Sequence, residues 1–219
     1  MVTFYDDIPE FLFEWIPTQK VFWVATAPRY GEHVNVSPKG HAQECFAVID
    51  SKTVWYQDLT GSGSETIAHV KESKFVVDYL VVFDLEVRLW GKAKVHEIGS
   101  AEYESFLPQD KRIAGSRSVI VIDVKKVATS CGYAVPYFDY VGDREVLKNW
   151  AEKNDDLPGY RLKKNFTSID GLPAFRSAGI QVGMAWANKL RVNFDWVSFA
   201  GGLAIGAAGA VASMHFLRR

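Results

Sequence analysis

Trp55-Tyr56-Gln57-Asp58-Leu59-Thr60-Gly61-Ser62-Gly63-Ser64-Glu65-Thr66-Ile67-Ala68-His69 reads as the end of a strand, a glycine-rich turn and the start of a helix. Thr53, Val54, Trp55 and Tyr56 are β-branched or aromatic strand formers, and Gly61 and Gly63 break their pattern by freeing the backbone to positive φ. Ser62 with Glu65 three residues on has the spacing of a capping box ahead of Ile67, Ala68 and Val70. The first N–H groups of a helix have no intrahelical partner and sit at the positive end of its dipole, so the turn suits an anion. Ser62, Ser64 and Thr66 add hydroxyl donors. On the residues alone two readings stand: a phosphate cradle, or a strand-to-helix connection whose serines only cap. The stretch matches neither the P-loop nor the dinucleotide fingerprint.

Upstream, Ile8, Phe11, Leu12, Trp15 and Ile16 fall on one face of a short helix bounded by Pro9 and Pro17. Phe22 to Ala27 and Val34 to Lys39 read as a hairpin. In its second arm Asn35, Ser37 and Lys39 alternate with Val34, Val36 and Pro38, so a polar row faces away from an apolar row; a solvated sheet face would look the same. Cys45 to Ile49 and Thr53 to Gln57 form a second hairpin across Asp50-Ser51-Lys52. Downstream, Phe75 to Phe83 is almost unbroken in apolar and β-branched residues and predicts an interior strand. Val87 to Val95 alternates and predicts a half-buried one. A short helix is expected over Ala101 to Leu107, a strand over Ser118 to Val127 and a surface helix over Glu145 to Lys153, followed by polar, turn-rich chain as far as Pro173. Many short strands with local hairpins and few helices predict a closed or partly closed antiparallel barrel, mainly β with short flanking helices.

The 219 residues carry a formal net charge of −1, so no basic footprint for nucleic acid is present and none is expected as a partner. Cys45 and Cys131 show neither metal spacing nor a disulfide framework, and buried free thiols are expected. Acidic Asp6 and Asp7 stand where a signal or transit peptide carries basic residues, which argues against an N-terminal address. From Trp196 to Leu217 the chain has no Asp, Glu, Lys or Arg and is rich in alanine and glycine, with Arg218-Arg219 behind it. That is the length of a transmembrane helix, and Gly202, Gly206 and Ala210 make a small-residue stripe for close helix contact. The alternative is an apolar helix buried in a soluble oligomer, but a soluble helix this long normally shows a charged face. A C-terminal membrane anchor over 196–217 is therefore expected, with the barrel facing the cytosol.

Several ordered motifs resemble the pyridoxamine 5′-phosphate oxidase-like family, the FMN-binding split β-barrels. They are Asn35-Val36-Ser37-Pro38-Lys39-Gly40, then Trp55 to Thr66, then Arg88-Leu89-Trp90-Gly91-Lys92. Ser116 to Val121, Ser130 to Pro136, Lys164-Asn165 and Ser168 to Pro173 follow, so the likeness covers about residues 4 to 175. It is nearer to a eukaryotic-type branch than to the vitamin B6 oxidase itself. The connection Asp84-Leu85-Glu86-Val87 is shorter than in relatives, and the basic and aromatic C-terminal residues that complete the vitamin B6 oxidase site have no counterpart, so pyridoxamine phosphate is not the expected substrate.

The resemblance implies a flavin-binding domain over 1–175, a connecting segment over 176–195, and a homodimer with FMN at the subunit interface. It also implies that the glycine-serine turn takes the phosphate. Lys39, Ser62, Gly63, Ser64 and Thr66 are the expected phosphate residues, since a phosphate near two negative charges needs cationic and hydroxyl donors. Asn35, Ser37 and Gln57 are expected at ribityl hydroxyls or the ring edge, and Arg88 at phosphate or ring. The function implied is a flavin-dependent oxidoreductase on an unknown small molecule, with a non-catalytic flavin carrier or sensor as the alternative. No residue stands out as catalytic; His41 and His69 are the nearest candidates for acid or base.

Overall fold

The computed structural model describes residues 1–177 apart from 74, 83, 84 and 134, together with Ile180. The expected tail helix over 196–217, and most of the connecting segment before it, lie outside the described residues. In chain order the elements are β1 (Val2–Tyr5), α1 (Glu10–Trp15), β2 (Phe22–Thr26), β3 (Asn35–Lys39), α2 (Ala42–Cys45), β4 (Phe46–Asp50), β5 (Thr53–Leu59) and α3 (Glu65–Ser73). Then come β6 (Phe75–Val82), β7 (Leu85–Glu97), α4 (Ala101–Phe106), β8 (Ser116–Ser130), α5 (Val146–Glu152) and α6 (Leu157–Asn165). The expected hairpins β2–β3 and β4–β5 form, and β6 and β7 pair as a third, each antiparallel.

Eight strands join in the order β3-β2-β6-β7-β8-β5-β4, with β1 added to β8. β8 is the spine: β7 pairs along it from Ser118 to Ser130, while its other edge takes β5 from Ser116 to Asp123 and β1 from Val127 to Ser130. Phe22 on β2 packs its ring 5.0 Å from Phe46 on β4 and 5.3 Å from Tyr56 on β5. Strands at opposite ends of the pairing order therefore face each other, so the sheet has curled into a partly closed barrel. Val24, Val54, Ile67, Val87, Leu89, Ile120 and Ile122 fill its interior, fully buried. Each such side chain contributes about 1.5–3 kcal/mol through apolar burial. The strand period makes this possible: Val87, Leu89, Gly91 and Ala93 point in while Arg88, Trp90, Lys92 and Lys94 point out or to the rim. At Gly91 the register against β8 shifts, and an added Cβ would lie 2.5 Å from the Ile122 side chain and 2.6 Å from the Asp123 carbonyl oxygen. Only glycine lets the strands close at that bend.

Three expectations change, and the facing of β3, open in the sequence, is decided. The helix after the glycine turn starts at Glu65, with Ala68 N donating to the Ser64 carbonyl, and the Glu65 carboxylate accepts from Ile169 N at 3.2 Å, a partner far along the chain, in place of a Ser62 capping box. The polar row of β3 faces into the molecule, half-buried, and it is Val34 and Val36 that stand exposed. The polar, turn-rich chain before Pro173 contains α6, capped by Asp156 Oδ1 accepting from Gly159 N at 2.9 Å with Pro158 in the first turn. Cys45 is buried but Cys131 is only partly so, and both are free thiols.

Candidate functional site

The glycine-serine turn sits where β5 leaves the sheet beside the start of β8. Thr60 anchors its first residue: its N–H and hydroxyl both donate to the Gly115 carbonyl, at 2.8 and 2.6 Å. Gly115 holds φ at 86°, a left-handed conformation that aims this carbonyl at β5 and that glycine adopts without a Cβ penalty. Arg161 of α6 donates Nε to Thr60 Oγ1 at 2.9 Å and Nη2 to the Ser116 carbonyl at 2.9 Å. Burial, and then the neighbouring Arg117, pull the Arg161 guanidinium down to about 10, so it stays charged at neutral pH.

Beneath the turn lies a buried charge cluster. Asp58, the last inward residue of β5, accepts from Arg117 Nε at 2.7 Å, Lys39 Nζ at 3.2 Å and Ser118 Oγ at 3.3 Å. Burial alone raises a carboxyl, but Arg117 and Lys39 outweigh it and hold Asp58 below its ordinary range, so the carboxylate is ionised. Arg117 is 4% exposed and its Nη1 also donates to the Gly63 carbonyl at 2.9 Å. Asn165 Nδ2 donates to the Gly61 and Gly63 carbonyls at 2.9 and 3.3 Å. Both glycine carbonyls are thus drawn to protein donors on one side, and the chain between them is pinned at each end.

Of the expected site residues, those on β3 come together with Thr66 and with the end of β5, while Gln57 faces Ile113 on the other side of β5. Lys39 meets Asp58, and Asn35 Nδ2 donates to Thr66 Oγ1 at 3.1 Å, which leaves the Thr66 hydroxyl proton available. Ser37 lies between them on the same inward row. Gln57 is 2% exposed; its Oε1 accepts from Ile113 N at 2.8 Å, while its buried Nε2 has no protein partner. Gly63 lies against the Glu65 carboxylate, Ser62 is exposed and Ser64 is buried. The Ser64 hydroxyl donates to the Thr167 carbonyl at 3.2 Å, so its proton serves the fold.

Arg88 stands apart. It pairs with Ala128 on β8, twelve residues from Ser116 and so roughly 40 Å along the strand from the turn, and its guanidinium binds Glu86 Oε2 at 2.7 Å and Ser130 Oγ at 3.2 Å. His69 is fully buried on α3 with Nδ1 2.9 Å from Thr26 Oγ1, and burial lowers its pKa, so it is neutral. His41, at a left-handed φ of 53°, lies with Nε2 3.3 Å from the Arg144 carbonyl. Neither histidine is aimed at the turn. Among the described residues no group of three or more His, Cys, Asp or Glu is placed to hold a metal.

Asp58, Arg117, Arg161 and Asn165 were not among the expected site residues. The signal for the first two was present: a carboxylate ends a strand of apolar and aromatic residues, and an arginine opens the apolar run Ser118 to Val124. Charges so placed must be paired.

Residues 8–131 match the family described as pyridoxamine 5′-phosphate oxidase. The chain belongs to the pyridoxamine 5′-phosphate oxidase family. A curated family member, ustO of Aspergillus flavus, is 35% identical over 221 residues, spanning 91% of this chain and 87% of its own. Solved structures are more distant. HupZ of Group A Streptococcus is 21% identical with a TM-score of 0.47, covering 56% of this chain and 99% of its own. A FAD-binding protein of Mesorhizobium loti is 12% identical with a TM-score of 0.40, covering 59% and 96%. At that distance neither adds to the family assignment.

Proposed function

We propose that this member of the family binds FMN, with the phosphate on the Gly61–Thr66 turn, and acts as a flavin-dependent oxidoreductase on a small molecule. The observation that carries the reading is the turn itself, whose glycine carbonyls are held by Arg117 and Asn165 over a buried cluster of paired charges. Lys39, Arg117 and Arg161 against Asp58 and Glu65 leave one net positive charge there, the sign a phosphate requires. The fit extends to donors. Lys39 gives one proton to Asp58 and keeps two, and Thr66 keeps its hydroxyl proton. A flavin bound there supplies the hydride or electron chemistry; the barrel binds, orients and excludes water.

The same reading includes a homodimer, with Val34 and Val36 on the outer face of edge strand β3 as the apolar surface a second copy covers. It also includes a C-terminal membrane anchor over 196–217 with the barrel facing the cytosol; among the described residues no helix is long and apolar enough to cross a membrane. Alkaline carbonate washing of membranes, full chain against a truncation after Arg191, tests the anchor. The decisive experiment is the absorbance spectrum of purified protein reconstituted with FMN. A bound flavin bleached by NADH or NADPH supports the enzyme, bleaching by dithionite alone supports a carrier, and no flavin binding removes the proposal.

A further inference from the structure

The chain after α6 touches both halves of the cradle. Asn165 holds the Gly61 and Gly63 carbonyls, the Thr167 carbonyl accepts from Ser64 Oγ, and Ile169 N donates to Glu65. One residue further on, Asp170 turns to the other half. Its carboxylate accepts from Glu32 N at 3.1 Å, His33 N at 3.2 Å and His33 Nδ1 at 2.6 Å, in the loop that feeds β3 and hence Asn35, Ser37 and Lys39. The segment is itself held fast. Ser168 N donates to the Leu172 carbonyl and Leu172 N to Ser168 Oγ, Thr167 bridges to Pro173, Lys71 binds the Ala174 carbonyl, and Glu97 accepts from Arg176 N and Ser177 N at 3.2 and 2.6 Å.

We propose that Asn165 to Asp170 is a bracket that sets the spacing between the glycine turn and β3, with Asn165 and Asp170 as positioning residues for a phosphate bound between them. This rests on the FMN reading for the identity of the phosphate. Neither residue needs to touch the ligand: Asn165 spends its amide on two carbonyls, and Asp170 spends its carboxylate on the opposite loop. Their separation in sequence, five residues, ties together two stretches that lie some thirty residues apart. A cradle built from two strands is only as well spaced as what links them from behind, since misplaced donors forfeit most of a charge-assisted bond.

The test uses the full chain with Asn165→Ala, Asp170→Ala and the milder Asp170→Asn, which keeps one acceptor oxygen. FMN and riboflavin affinities are measured side by side. Each alanine variant is expected to weaken FMN roughly three- to tenfold, the scale of one mispositioned hydrogen bond, with riboflavin changed far less and Asp170→Asn in between. Equal loss of both flavins, or no loss of either, overturns the bracket. Hydrogen exchange gives a readout that needs no flavin: Asn165→Ala is expected to speed exchange at residues 61–66 while the amides of β7 and β8 keep their protection. If wild type binds no FMN, the phosphate reading falls, and unchanged exchange at the turn overturns the bracket independently.

Discussion

Replacing Lys39 with Met separates the ligand role of this side chain from its structural one. Lys39 donates to the buried Asp58 at 3.2 Å with its side chain 20% exposed, so its removal takes a cation from the cradle and one partner from the carboxylate. The structural loss is limited, because Arg117 at 2.7 Å and Ser118 at 3.3 Å stay on Asp58. A cost of about 1–2 kcal/mol follows, less than the 3–5 kcal/mol of a buried charge stripped of its only partner. For a chain of this size that lowers Tm by about 3–6 °C. The ligand loss is that of a charge-assisted phosphate contact, about 1.5–3 kcal/mol, or a 10- to 150-fold weaker Kd for FMN. Riboflavin has no phosphate and should change little. The assay is fluorescence titration of both flavins at one fixed ionic strength, alongside thermal melts of the unliganded protein. Equal weakening of FMN and riboflavin would mean that the ammonium does not meet the phosphate, whatever happens to Tm.

Arg117→Met should be harsher on the fold, about 2–3 kcal/mol in a urea melt, since it removes the shortest partner of a fully buried Asp58 and leaves the Gly63 carbonyl to Asn165 alone; a loss under about 1 kcal/mol would show the cluster to be dispensable. The Asp170 contact raises His33 above the ordinary imidazole value of 6.5, and the His33 contact lowers Asp170 below 3.8. The pair therefore adds stability that is complete between those two values, fades as pH rises through the raised His33 pKa, and fades again as pH falls through the lowered Asp170 pKa. The Tm difference between wild type and His33→Gln should be largest in that window and shrink on the alkaline side; a difference that grew with pH would contradict the pairing. Burial pushes Cys45 up to about 12 while Cys131 is partly exposed, so maleimide at neutral pH should label one site and Cys131→Ser should abolish fast labelling. On the homodimer reading, Val36→Glu, placing a charge on the exposed face of β3, should give a monomer in light scattering.

The strand-turn-helix at Trp55 to His69 and the first two hairpins were legible because their signals are local: β-branched runs, alternation, and glycine at the turns. Four things were not. The facing of β3 depends on what covers each side, and Asn35-Val36-Ser37-Pro38-Lys39 has the same alternation whichever row is inside; the contacts of Lys39 with Asp58 and Asn35 with Thr66 decide it. The helix α6 has weak periodicity and carries Gly159 and two lysines, so its cap at Asp156 and Pro158 was the stronger signal. Arg88 shares a motif with the family but not a neighbourhood with the turn, since motif order along the chain says nothing of distance across a sheet. The charge cluster of Asp58, Arg117 and Arg161 joins residues over a hundred positions apart, and no window of sequence brings them together.

The spine strand β8 has a consequence for when this site comes into being. Hairpins of the first hundred residues can pair as they leave the ribosome, but β5 gains its second neighbour and β1 its only one after Ser130 has been made. Asn165, which holds the glycine turn, emerges later still, roughly two to seven seconds after β8 at ordinary elongation rates. The helix that sets the turn is made after every strand of the barrel, so a chain stopped short of α6 would possess the barrel without a finished cradle. On the FMN reading, cofactor loading waits for α6, after the sheet that must receive it has closed.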